Sequence, residues 1–407
     1  MSRADPPISR GDLMKNYFEN AITYGNMRRA LRKCCRGVRW KDSVVGYELH
    51  APQNTHKLIK SLKNGTYKIS PYQHFTIFEP KKREIVATRI ADRQVQMALS
   101  EAGLYDDIVE HFIYDNCACQ KGKGTDFALK RLKVHMLRHF REYGKEGWVL
   151  RCDVYHFFPE TRHDIAKESV GKLIDDDRVR QMVFNIIDSF DGDKGIGLGS
   201  RISQLTELAV LNDLDHYIKE KLKIKRYIRY MDDFLLIHPD KEYLKYCWKE
   251  IEKKLTEKGL RLNEKTLMHP LRQGINFLQW RFVLTETGGV RMYMNGKKAG
   301  RERRRLKKLV AGEASGWLAP GTADNSETAW EANAARGDAY YKRIRMRKYL
   351  EKLKGEIQNG NDAGETAESP ARCESGESRS CEGSGKRGLY RNDDRCGNPD
   401  RRGGRCR

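Results

Sequence analysis

The stretch YIRYMDDFLL (227–236) sets two adjacent carboxylates, Asp232 and Asp233, inside a run that otherwise reads as a buried strand. Burying a carboxylate is costly unless it is paired or bound to a metal. The local fold is therefore narrowly constrained. The apolar flanks fold back on each other as two strands, and the Asp residues fall at the tight turn between them. A plain turn accounts for the string without any chemistry. Carboxylates at the tip of an apolar hairpin can also hold Mg²⁺ through hard oxygen ligands. That use requires a third carboxylate from elsewhere in the chain, and a negatively charged group to bring to the metal.

Charge addresses the second requirement. The 407 residues carry 78 Lys+Arg against 56 Asp+Glu, a formal net charge of +22. Such a field attracts polyanions and releases their counterions on binding, although Lys-rich solvated surfaces are common. The length allows two or three domains. No run approaches the roughly 18 apolar residues of a membrane helix, and MSRADPPISRGDLMKNYF has no apolar signal core, so a cytoplasmic location is expected. The ten cysteines include Cys34-Cys35 and Cys117-x-Cys119 but no C-x₂-C pair, which argues against a zinc site.

Along the chain, 11–66 reads as helical with basic faces, and 75–90 (FTIFEPKKREIVATRI) as a hairpin around a Pro-Lys turn. Residues 92–112 read as a helix capped by Asp92, 126–143 as another, and 148–158 (WVLRCDVYHFF) as a strand. Helices follow at 160–190 and 202–222, then the Asp-Asp hairpin, a helix at 241–259, and a strand pair, 277–284 with 290–295. Residues 300–309 (GRERRRLKKL) begin a basic helix, 312–328 read as a small-residue loop, and 329–357 as a second basic helix. From 358 the composition cannot bury a core, and a disordered tail is expected over 358–407. The order gives an α+β chain with a helical, basic end.

The third carboxylate is Asp153, at the end of the apolar strand WVLRCD. A strand-terminal Asp commonly caps the next helix. A strand with one Asp followed by a hairpin with two can also place Asp153 and Asp232 on one pair of ions, which suits in-line phosphoryl transfer.

These residues resemble the palm of a reverse transcriptase: Asp153-Val-Tyr-His-Phe-Phe158, then Tyr230-Met-Asp-Asp233. Further strings resemble family motifs in the right order: KKREIVATRIADRQVQ (81–96) and CACQKGKGTDFAL (117–129) the fingers, EKGLRLNEKT (257–266) the segment with a Lys near the triphosphate, and INFLQWRF (275–282) the primer grip. The resemblance covers about 70–300. It implies a right-hand polymerase: an N-terminal helical extension (1–66), fingers (67–147), palm with interleaved fingers elements (148–299), thumb-like basic helices (300–357) and the tail.

GLGSRISQ (197–204) narrows the group. Its Gly-x-x-x-Ser-Gln pattern resembles the enzymes of diversity-generating retroelements, where most of the family shows Gln-Gly-x-x-x-Ser-Pro. ACQKGKGT (118–125) resembles the same group, with Gln120 where that group usually has Arg, and Leu198 where it more often has Ile. These departures leave open a phage-defence or retron-type branch. From another class, a catalytically silent nucleic-acid-binding protein with the same fold is the alternative, against which the intact Asp153, Asp232 and Asp233 speak.

The resemblance also implies roles. Asp153 and Asp232, with the Val154 carbonyl, would bind two Mg²⁺ ions, with Mn²⁺ as the alternative, and Asp233 would support them. Lys265 would neutralise or protonate the leaving pyrophosphate, although an exposed Lys needs no such role. Arg83 and Arg89 would clamp the incoming triphosphate through guanidinium forks. Phe158 would exclude ribonucleotides, or else serve as a core aromatic. Leu198, Gly199, Ser203 and Gln204 would flank the templating base, Gly199 by allowing close backbone approach. Lys121, Gly122, Lys123 and Gly124 would meet template phosphates. Arg301, Arg303, Arg304 and Arg305, with Lys307 and Lys308, would grip the duplex, where a charge run is otherwise a solvated face. The implied partners are template RNA, a DNA or RNA primer, deoxynucleoside triphosphates and a small basic accessory protein, with no membrane.

Overall fold

The computed structural model describes residues 16–78 and 82–365. The chain divides into two compact units, Met1–Glu351 and Lys352–Arg407. Everything that follows on the site concerns the first.

The chain opens with the helices Tyr17–Ala21, Tyr24–Cys35, Asp42–Leu49 and Ala51–Lys63, as the basic-faced N-terminal segment led us to expect. Their apolar stripes are not solvated. Tyr17, Phe18, Met27 and Leu62 enter the same core as the strand residues Leu150, Cys152, Tyr227 and Phe234. The hairpin follows, β1 (Gln73–Ile77) antiparallel to β2 (Arg83–Ala87), with the Pro-Lys turn outside the described residues.

The next helix begins at Ile90, so Asp92 is not its cap. Asp92 is buried in the first turn, accepting from the Tyr67 hydroxyl at 2.6 Å and the Ser70 amide at 3.2 Å. Sequence alone shows Asp before an apolar run; only the tertiary fold supplies those two donors. The helix widens over Ser100–Leu104, where Gly103 is left-handed because the Tyr17 ring fills the place of a side chain, and it resumes over Tyr105–Glu110.

The central sheet has the order β4-β5-β3-β6, with β3 Trp148–Asp153, β4 Arg226–Tyr230, β5 Asp233–His238 and β6 Leu267–Pro270. Strand β3 is shorter than its apolar run. It ends at Asp153, His156 turns left-handed at φ 42°, and Phe157–Glu160 form a short helix. The helical stretch 160–190 is two helices, His163–Gly171 and Asp177–Asp188, and 202–222 breaks at Leu211. The C-terminal strand pair is a three-stranded sheet, because Leu278 and Gln279 take positive φ and split INFLQWRF into β7 (Ile275–Phe277) and β8 (Trp280–Leu284), with β9 at Val290–Met294.

Helices Gly296–Ala314, Thr322–Ala334 and Tyr340–Glu365 complete the described chain. The stretch read as a loop over 312–328 is therefore mostly helical, its small residues packing where helices approach closely. The last helix continues to Glu365, into the segment expected to be disordered; 366–407 lie outside the described residues. The fold is α+β, as expected.

Candidate active site

The site forms where β3 and β5 end together. Antiparallel pairing sets Trp148 opposite His238 and, five residues on, Asp153 opposite Asp233. Tyr230 pairs with Asp233 across β4 and β5, leaving Met231 and Asp232 as a two-residue loop. Such loops favour positive φ, and Met231 has φ 58°, which costs a non-glycine residue on the order of 1–2 kcal/mol. Two bonds hold this turn. The Val154 amide donates to the Asp232 carbonyl at 3.2 Å, and Arg229 Nη1 donates to the Met231 carbonyl at 3.1 Å. Asp153, Asp232 and Asp233 are thus gathered at one sheet end by backbone geometry.

Their electrostatics reflect crowding. Burial, then the nearby Asp153, raises the proton affinity of Asp232, while Arg83 acts the other way. Burial pushes Asp233 up to about 6, against the pull of Arg151, with Asp153 and Asp232 adding to the rise. Arg151 Nε lies 3.5 Å from Asp233 Oδ1, an ion pair, but that buried oxygen accepts no well-formed hydrogen bond. Carboxylates that repel one another and keep an orphaned oxygen suit a hard cation. Among the described residues, no three such side chains converge as a ready metal cage. The donor set fits ions held by one or two carboxylates, with substrate phosphates and water completing the shell, which is the usual habit of Mg²⁺.

Lys265 is exposed on the neighbouring turn. Its amide donates to Asn263 Oδ1 at 3.1 Å, and the Asn263 amide donates to the Asp153 carbonyl at 2.7 Å, which ties this turn to the site. Arg83, exposed at the start of β2, reaches Asp232 with its charge. Arg89 stands apart, its Nε donating to the Pro71 carbonyl at 3.3 Å. Phe158 is half-buried, edge-on to Phe157 at 5.9 Å, and its carbonyl accepts from the Ile196 amide at 2.9 Å. That bond leads into the loop carrying half-buried Leu198 and exposed Gly199, where φ is +121° and a methyl group would stand 3.3 Å from the Val86 carbonyl. The glycine therefore lets this loop lie against β2.

Ser200 caps the following helix, Arg201–Val210. Ser203 is buried with its hydroxyl unpartnered, while Gln204 reaches a cleft of about 270 Å³ shared with Tyr105, Cys119, Lys121 and Arg201. Lys121 lies over the Tyr105 ring at 4.4 Å, free at its tip apart from Asp106 at 3.6 Å. Lys123 is not presented in this way. Its ammonium donates to the carbonyls of Tyr114 and Asn116, both at 3.0 Å, and holds the loop together. Arg301, Arg303, Arg304 and Arg305 are exposed on helix Gly296–Ala314, which turns Glu302, Leu306 and Val310 inward. The helix starts beside a second cleft, about 1020 Å³, whose wall includes Arg151, Asp233, Asn295 and Gly296.

Sequence reasoning missed three residues. Arg229 is fully buried and donates to Asp215 through Nε at 2.7 Å and Nη2 at 2.6 Å. Glu207 is fully buried, accepts from the Thr161 hydroxyl at 3.0 Å, and has its pKa raised well above the ordinary value by burial. Arg151 pairs with Asp233. Arg229 and Arg151 were visible as cations inside apolar strands, the mirror of the signal that exposed Asp232.

Residues 78–279 match the family model described as reverse transcriptase (RNA-dependent DNA polymerase). Among curated proteins, no sequence matches this chain. Solved structures similar to it include telomerase from Candida albicans in complex with a fragment of telomeric RNA (9% identity, TM-score 0.44, covering 74% of this chain and 62% of that one). Apo telomerase from Candida tropicalis is another (11% identity, TM-score 0.46, 77% and 62%). The chain thus spans less than two thirds of these telomerase chains. Over residues 78–279 the chain therefore carries a match to a reverse transcriptase (RNA-dependent DNA polymerase) domain, and those residues include Asp153, Asp232 and Asp233.

Proposed function

We propose that this polymerase copies a template RNA into error-bearing cDNA within a diversity-generating retroelement. The observation that carries the chemistry is the register that sets Asp153 opposite Asp233, with the Val154 amide on the Asp232 carbonyl. Asp153, Asp232 and the Val154 carbonyl hold the divalent ions, Mg²⁺ or Mn²⁺, and Asp233 supports them. Bound there, such ions supply activation of the primer 3′-hydroxyl and charge neutralisation at the pyrophosphate.

The chain's own residues supply the positioning. Arg83 meets the incoming phosphates from across the site, Arg89 from farther along the fingers, and Lys265 stands by the leaving pyrophosphate. Phe158 presses on the sugar. Leu198, Gly199 and Gln204 face the templating base and new pair, with Ser203 packed beneath them. Lys121 meets template phosphates and Lys123 keeps its loop in shape. Arg301, Arg303, Arg304 and Arg305 take the duplex backbone. A small basic accessory protein and a cytoplasmic setting belong to the same reading; among the described residues no helix is long and apolar enough to cross a membrane.

The retroelement assignment rests on the pattern Gly199-x-x-x-Ser203-Gln204 with an aliphatic residue, Leu198, before the Gly, and on ACQKGKGT (118–125). An apolar contact replaces the hydrogen-bonding Gln of the commoner pattern, and a pocket read by shape alone separates near-isosteres poorly. Gln120 where that group usually has Arg, and Leu in place of the more frequent Ile at 198, leave a phage-defence branch as the second reading.

Primer extension on a defined RNA with Mg²⁺ tests both levels. Asp232→Ala abolishes extension and leaves thermal melting in place; full activity in that variant removes the site assignment. Sequencing the products separates the branches. Errors concentrated at template adenines and reduced by Leu198→Gln support the retroelement, whereas uniformly low error favours the defence role.

A further inference from the structure

Helix Gly296–Ala314 ends in a turn that displays an aromatic ring. Trp317 is 81% exposed, the most exposed of the large apolar side chains among the described residues. A lone exposed aromatic needs no explanation, but this one is held in place and aligned. Gly316 is left-handed at φ +72°, the Leu318 amide donates to the Gly312 carbonyl at 3.0 Å, and Leu318 folds back onto the helix. A methyl group at Gly312 would stand 2.7 Å from Leu318 and 3.4 Å from the Trp317 ring, so the absence of a side chain there seats the turn.

At 100° per residue, Arg301, Arg305 and Lys308 lie within about 40° of Gly312 around the helix axis. All three are exposed, and none forms an ion pair among the described residues. They make a stripe of free cations that leads to the indole. The helix that carries the stripe begins at Gly296, which with Asn295 lies in the wall of the cleft that holds Asp233. From there to Gly312 the helix spans about 25 Å. Burial first, and then the nearby Arg301 and Arg336, lower the proton affinity of Lys298 at that end.

We propose that Trp317 and the stripe Arg301, Arg305 and Lys308 form a binding site for an unpaired nucleic-acid strand, one base stacking on the indole and its neighbouring phosphates lying on the cations. The proposal rests on the polymerase reading: Arg301 and Arg305 carry the backbone from the duplex to the unpaired strand beyond it, and Trp317 adds a single-strand contact roughly 25 Å from the catalytic cleft. Aromatic faces beside a cationic track are how strands are held without sequence preference. A duplex would engage the cations but offers no free base face to the indole along its length.

The test is anisotropy of labelled single-stranded RNA, single-stranded DNA and a blunt duplex of two separate strands, titrated with the full chain over a range of salt. Trp317→Ala is expected to weaken single-strand binding by about five- to a hundredfold, with little change for the duplex, while Trp317→Phe keeps most of the affinity. Arg305→Ala with Lys308→Ala lowers the salt slope for single strands by about 1.4. The strand with the larger Trp317 effect identifies the source, template RNA or nascent DNA. Unchanged single-strand affinity in Trp317→Ala overturns the site, as does an equal loss for duplex; retained binding of all three in that variant would leave the ring to a protein partner. Asp232→Ala binds the strands like wild type, so inactive chemistry and an absent strand site give different results.

Discussion

At the scale of single residues, the two missed buried charges govern the site from beneath. Arg229 and Asp215 are a buried pair, and Asp215 also accepts from the Tyr227 hydroxyl at 2.6 Å. Removing one partner strands the other in a low dielectric at about 3–5 kcal/mol. Arg229→Ala should therefore lower the melting temperature sharply, and a variant that melts with wild type would show the pair to be idle. Arg229→Met with Asp215→Leu should recover most of the stability. It still lacks the bond to the Met231 carbonyl, so extension should stay slow in that double variant. Glu207 makes a pH prediction. Its folded-state proton affinity is raised, first by burial and then by Asp232. The folded protein keeps a proton that the unfolded chain releases, so this contribution to stability is full below the ordinary carboxylate value and declines as pH rises above it. Glu207→Gln keeps a carbonyl for Thr161 and removes the slope. Denaturant melts should find it more stable than wild type at pH 8 and little changed at pH 4.

At the scale of elements, the site is a meeting of strand ends and turns. The left-handed His156 redirects the chain after β3, and the short helix Phe157–Glu160 brings Phe158 beside the loop at 195–199 through its carbonyl. The ring is half-buried, which suits a wall that a sugar touches better than a core filler. Phe158→Ala should raise ribonucleotide incorporation relative to deoxyribonucleotide in competition primer extension. An unmoved ratio with activity intact would leave the residue as packing. The hairpin of β4 and β5 was legible because its carboxylates interrupt an apolar run. The helix break at Leu211 was not, because Leu carries no local stop; the break between Ala334 and Tyr340 had a signal in Gly337, a common helix stop, which the reading of 329–357 as one helix passed over.

At the scale of the whole molecule, residues from Tyr17 to Leu260 share one core, so the N-terminal helices and the central sheet stand or fall together. The C-terminal segment differs, since its composition offers little to bury. A chain ending at Lys354 keeps the whole first unit, Met1–Glu351. It should melt cooperatively and extend a primer, and loss of extension in that truncation would place the tail within the enzyme.

Sequence alone determined the carboxylate strand, the Asp-Asp hairpin, the basic terminal helix and the order of motifs. Each depends on local periodicity, on a charge misplaced in an apolar run, or on composition. It also raised the expectation that Asp153 and Asp232 share a pair of ions, since a buried carboxylate is costly unless paired or bound to a metal. Only the tertiary structure decided that Asp92 is a buried acceptor and not a cap, that Lys123 serves its own loop while Lys121 faces the cleft, and that Gly312 seats Trp317. Those outcomes hang on donors, acceptors and close approaches contributed from distant parts of the chain. A side chain's own letter and its immediate neighbours carry no record of them.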